Sequence, residues 1–182
     1  MTRWPWATAL LVFASAIAHA QWRQNGVEIP DEPWHRSDGQ FGAMLVVIDN
    51  VDEFFEQWSR PTAPGYAPTI KPTHATARGG TVDAVITFSG CTAGDDGNCR
   101  CEVDFTVFRP DGSTYAAQTG VPVWRSVPPP DRNVQVSDGR LRMRVEADDP
   151  IGTYRIAALV RDLVAKRQVS LEWRIAVNPS KP

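Results

Sequence analysis

The chain has 182 residues, 42% of them hydrophobic and 22% charged, which is material for one globular domain and too apolar for a disordered chain. Nineteen Lys and Arg against 21 Asp and Glu leave a formal net charge of −2, so the positive surplus that phosphate backbones demand is missing and nucleic acid is not an expected partner.

At the N-terminus, Arg3 supplies a positive charge, residues 7–18 form a short uncharged apolar run, and Ala18-His19-Ala20 fits the small-x-small cleavage rule. Residues 1–20 therefore read as a signal peptide, with a mature chain starting at Gln21. The apolar run of about 12 residues is too short for a bilayer core of about 30 Å, and Gln21 stands where a lipoprotein would carry its acylated Cys. The expectation is an exported protein, periplasmic or secreted, without a membrane span.

Residues 21–40 hold Trp22 and Trp34 among Asp, Glu, Pro and Gly without periodicity, and read as an extended or partly disordered arm. A β-sandwich domain is expected over 41–178. Residues 41–48 are a continuous apolar run, suited to a strand buried on both faces. Asn50 then offers an N-cap with Glu53 three residues on, and Val51, Phe54, Phe55 and Trp58 fall at i, i+3, i+4 and i+7. The spacing predicts an amphipathic helix over 51–59. Covering its own sandwich is the natural use of that face, with recruitment of a partner as the alternative. Arg60-Pro61 and Ala63-Pro64-Gly65 should end it.

From about residue 68 onward, apolar residues recur with period two. Runs at 82–88, 103–107, 141–145, 154–160 and 169–177 alternate in this way, and the last two should pair as a hairpin. Turn chemistry lies between runs at Arg78-Gly79-Gly80, Arg109-Pro110-Asp111-Gly112, Ser137-Asp138-Gly139 and Asp149-Pro150-Ile151-Gly152. Seven or eight short strands joined by such turns predict a mainly β fold, an antiparallel two-sheet sandwich with one short N-terminal helix.

Cys91, Cys99 and Cys101 are odd in number, so at least one thiol is free or pairs outside the chain. Cys99 and Cys101 lie two apart in one strand, with Cα atoms about 6.5–7 Å apart, at the limit for a disulfide. A Cys91–Cys99 bridge would staple the hairpin around residues 92–98 and is favoured over Cys91–Cys101, leaving Cys101 as the free thiol. Closing so short a loop is worth about 2.5 kcal/mol at most.

The chain lacks His-Glu-x-x-His, Gly-x-Ser-x-Gly and a phosphate-cradling Gly loop. Neither a cofactor nor a metal is expected. Asp95 and Asp96 fit a polar turn better than a calcium loop. The segment Val121-Pro122-Val123-Trp124-Arg125-Ser126-Val127-Pro128-Pro129-Pro130 sets an aromatic beside a cation and a stiff polyproline stretch. Trp124 and Arg125 are thus candidate binding residues for a glycan or a protein, the alternative being that Trp124 covers a sandwich edge.

Gly152-Thr153-Tyr154-Arg155-Ile156, with the strand, turn and strand that follow, resembles the last two strands of bacterial extracytoplasmic immunoglobulin-like domains. The resemblance places Tyr154 at a tyrosine corner and implies an architecture, not an activity. It lacks the inter-sheet Cys pair and Trp of antibody domains. The reading is an exported, non-enzymatic module with a binding or structural role. Its alternatives are a carbohydrate-binding module centred on Trp124 and a small thiol- or metal-dependent periplasmic protein using the free thiol and His74.

Overall fold

A computed structural model describes residues 22–24, 27–60, 70–130 and 133–180. The leader and cleavage site expected from the sequence fall outside these residues, as do the prolines expected to end the helix. The elements in chain order are β1 (Arg23–Gln24), β2 (Val27–Glu28), β3 (His35–Asp38), β4 (Phe41–Ile48), α1 (Val51–Ser59), β5 (Ala75–Ala77) and β6 (Thr81–Ser89). They continue with β7 (Cys101–Phe108), β8 (Thr114–Trp124), β9 (Gln135–Arg144), β10 (Gly152–Asp162) and β11 (Arg167–Asn178).

The fold is mainly β, two sheets face to face with one short helix. One sheet has the order β3-β4-β6-β9, the other β5-β11-β10-β7-β8, and β1 and β2 form a separate ribbon. Among the described residues every strand pairing is antiparallel except that of β5 with β11, which is parallel over three residues. The alternation seen in the sequence is what builds the core. Val103, Phe105 and Val107 of β7, Tyr154, Ile156 and Val160 of β10, and Leu171, Trp173 and Ile175 of β11 meet Leu45, Val47, Val82, Ile86, Phe88 and Leu141 of the facing sheet, all buried. Each such side chain contributes about 1.5–3 kcal/mol on burial, and chain entropy offsets most of the sum.

β4 is buried on both faces. Its odd-numbered residues face the main core, while Val46 and Ile48 join Val85, Val136, Val51 and Phe54 in a second cluster under the helix. Asn50 caps that helix: its Oδ1 accepts from Glu53 N at 3.1 Å and its Nδ2 donates to Glu53 Oε2 at 3.2 Å. The helix therefore covers the outer face of its own sandwich. Arg60, before Pro61, is extended, as a residue preceding proline should be.

Two stretches lie elsewhere than their sequence suggests. Within residues 21–40, His35–Asp38 form an edge strand on β4, His35 is buried, and Trp22 donates its indole N–H to Arg36 O at 3.2 Å. Backbone pairing to the free edge of β4, with no need of alternation, ties this segment down. Ser137-Asp138-Gly139, with the composition of a turn, sits inside β9 at an irregularity of the pairing with β6. There Ser137 Oγ accepts from Ile86 N at 3.2 Å and donates to Gly139 O at 2.6 Å, supplying the hydrogen bonds that the bulged ladder loses.

At the start of β10, Tyr154 is fully buried and its hydroxyl donates to Pro150 O at 3.0 Å, four residues upstream. This is the geometry of a tyrosine corner. Asp149 completes the turn, its Oδ2 accepting from Tyr115 Oη at 2.6 Å and from Glu146 N at 2.7 Å.

Candidate functional site

On one side of the sandwich, two short segments cross from sheet to sheet. Leu45 N of β4 donates to Trp34 O at 2.8 Å, and Glu172 N of β11 donates to Pro33 O at 2.6 Å. Forty residues later in the chain the pattern repeats, with Thr73 N donating to Val47 O at 2.7 Å and Ala176 N donating to His74 O at 2.8 Å. Two consecutive residues of each segment thus bond to opposite sheets. The prolines beside them, Pro33 and Pro72, hold the backbone extended where regular pairing stops.

Among the described residues, no main-chain hydrogen bond joins β4 to β11 between the two crossings, and a window opens into the side of the sandwich. It is a cleft of about 820 Å³, lined by Pro33, Trp34, Met44, Val46, Ile70, Pro72, His74, Glu172, Trp173 and Arg174. Seven of these ten side chains are apolar, which is the make-up of a small-ligand site: a greasy wall with a few polar groups. Trp173 is buried, its ring stacked on His74 with centroids 4.6 Å apart and planes 11° from parallel, and its Nε1 donates to Thr73 O at 3.1 Å. Trp34 stands half-buried at the opposite crossing and donates its Nε1 to Glu32 Oε2 at 2.8 Å.

The rim carries a short charge ladder. Glu172 accepts from Arg155 Nη1 at 3.4 Å and from Arg174 Nε at 3.1 Å, so one carboxylate is shared by two guanidinium groups. Arg155 is further fixed by lying 3.9 Å from the centroid of the Phe108 ring.

The residues singled out from the sequence are distributed differently. Cys91 and Cys99 form a disulfide with Cα atoms 6.0 Å apart, but the hairpin it was expected to staple does not form: β6 and β7 lie in different sheets, and the bond closes the loop that crosses between them. Cys101 is the free cysteine and is buried. Burial, and then the neighbouring Asp162 carboxylate, push its thiol up to about 12. It is held protonated, the reverse of the exposed, electropositive setting that makes a thiol reactive. His74 belongs to the window, whereas Cys99, Cys101 and Arg125 border a separate depression of about 340 Å³. Among the described residues, no three His, Cys, Asp or Glu side chains are grouped so as to hold a metal ion.

Trp124 is half-buried over the core edge, its ring centroid 5.9 Å from that of Phe88, and its Nε1 donates to Val127 O at 2.8 Å. Arg125 beside it is exposed. The window residues Trp34, Met44, Ile70 and Trp173 escaped the sequence reading. Taken along the chain they are ordinary apolar residues of an arm, two strands and a connection, and only the crossings bring them together.

No protein-family model matches the chain and no curated protein matches it. Among solved structures, it is similar to the CARDB domain of a Pyrococcus furiosus protein, with 10% identity and TM-score 0.38 over 83% of this chain and 100% of that one. It is also similar to a Niemann-Pick type C2 protein from the Japanese carpenter ant, with 10% identity and TM-score 0.37 over 57% of this chain and 79% of that one. A third similarity, to an alkylpurine DNA glycosylase from Pseudomonas fluorescens, has 12% identity and TM-score 0.36, covers 58% of this chain and spans 27% of the glycosylase.

Proposed function

We propose that the chain is an exported, non-enzymatic immunoglobulin-like module that binds a compact, largely apolar ligand in the window between β4 and β11. One observation carries this reading: an open cleft of about 820 Å³ with an apolar wall, set between the two sheets of the sandwich. A volume of this order suits a small molecule. The Cys91–Cys99 disulfide supports export, because such bonds persist in oxidising compartments. The tyrosine corner at Tyr154 supports the relation to immunoglobulin-like domains. In this reading Trp124 closes a sandwich edge, since its indole N–H is engaged by Val127 O.

The test is a fluorescence titration with the neutral apolar probe N-phenyl-1-naphthylamine. Saturable binding to one site is expected, weakened about three- to tenfold by Met44→Gln, which replaces apolar wall by an amide of similar size. The melting temperature of Met44→Gln serves as the control for folding. Absence of saturable binding, or binding indifferent to Met44→Gln in a folded variant, overturns the proposal.

A further inference from the structure

We infer that the ligand of the window is a small amphiphile, its apolar body in the cleft and an anionic head group held at Arg174; this rests on the window being a binding site. In an antiparallel pair, residues alternate between exchanging hydrogen bonds with the partner strand and pointing their N–H and C=O away from it. Glu172 and Ala176 point away from β10, since their N–H groups reach Pro33 O and His74 O. Arg174 lies midway between them with the same parity, aligned with Arg155 as Glu172 is with Ala157. Its main-chain N–H and C=O therefore face the window.

That edge is short. The crossing segments occupy it at Glu172 and at Ala176, so a strand of another chain has no length of β11 to pair with. A single acceptor on a compact ligand does fit between them. Sugar stacking is disfavoured too, because His74 covers a face of Trp173.

The charge at the rim sets the sign of the head group. Arg155 and Arg174 share the one carboxylate of Glu172, which leaves that trio with a surplus positive charge. Arg174 is the more exposed of the two guanidinium groups, at 73% against 38%, and is free to swing toward a second anion. Glu32 keeps its negative charge while accepting from the indole of Trp34, but it is not among the residues that line the cleft. A carboxylate or comparable anion would take a main-chain N–H and a guanidinium from the same residue, a charge-assisted pairing stronger than a neutral one.

Calorimetric titration of the full chain with decanoate, decanol and decyltrimethylammonium, each below its micellar concentration, decides the matter. Decanoate should bind about tenfold more tightly than decanol, with the cation weakest. Arg174→Gln should shrink that preference to about threefold or less at an unchanged melting temperature; Glu172 keeps Arg155 in this variant. Raising the salt to about 0.5 M should narrow the preference in the wild-type protein as well. If decanol binds as well as decanoate, or the preference survives Arg174→Gln, the anionic head group is wrong and the apolar window stands. If none of the three binds to the wild-type chain, the window itself is not a site.

Discussion

Gly139 has no room for a side chain. A Cβ there would lie 2.5 Å from Val121 Cγ1 and 2.9 Å from Pro122 O, so β8 and β9, the edge strands on the side opposite the window, meet at this residue. Because one of the two obstacles is backbone, a rotamer change cannot clear the clash. Gly139→Ala is expected to destabilise the protein by about 1–3 kcal/mol, the range for overpacking, read as a lower denaturant midpoint with an unchanged slope. An unchanged midpoint would mean that the two edges are not in contact in solution. The same residue shows why residue-scale reading succeeds unevenly. Ser-Asp-Gly is the chemistry of a reversal, and a bulge needs the same small and hydrogen-bonding residues, so composition cannot separate them. Tyr154 was legible because its hydroxyl partner lies only four residues away. The stacking of His74 on Trp173 spans about a hundred positions and leaves no mark on the local sequence.

At the scale of elements, legibility followed burial. Strands with one face in the core, such as β7, β10 and β11, carry a period of two because water and oil alternate along them. β4 was readable for the opposite reason, a helix covering its second face. The edge strands β3, β5 and β8 carry no such pattern. β8 has one buried residue, Val123, and its pairing with β7 shifts register three times, so its residues read as a linear segment with Trp124 standing out. The Cys91–Cys99 bridge was favoured on loop length and strand geometry, with Cys91–Cys101 as the alternative, whereas the hairpin expected around it does not form, because nothing in the local sequence marks the passage from one sheet to the other between β6 and β7. The state of the bridge can be checked chemically. Thiol titration of the native protein should find no reactive group, and one per chain in denaturant, because Cys101 is buried and held protonated. Adding reductant should lower stability by up to about 2.5 kcal/mol. A thiol that reacts readily in the folded protein would revive a redox role.

For the molecule as a whole, the two crossing segments explain why a sandwich core coexists with an opening in its side. A sheet edge ends pairing either with a partner strand or with scattered donors and acceptors, and the acceptors Trp34 O, Pro33 O and His74 O, with the donor Thr73 N, are of the second kind. They tie β4 to β11 at two places and, among the described residues, leave the stretch between without a main-chain hydrogen bond. Tethers of this sort make the N-terminal segment part of the domain, so removing it should matter, whereas residues 1–20 are expected to be dispensable once export is complete. Produced in a Gram-negative host with its leader, the protein should accumulate in the periplasm, start at Gln21 by N-terminal sequencing, and carry one disulfide. Produced from Gln21 onward in a reducing cytoplasm, it should yield three thiols on denaturation, with the lower stability of the chain lacking the Cys91–Cys99 bond. A product that keeps residues 1–20 and fractionates with membranes would refute the leader, and a disulfide formed equally well in the cytoplasm would remove the bond as support for export.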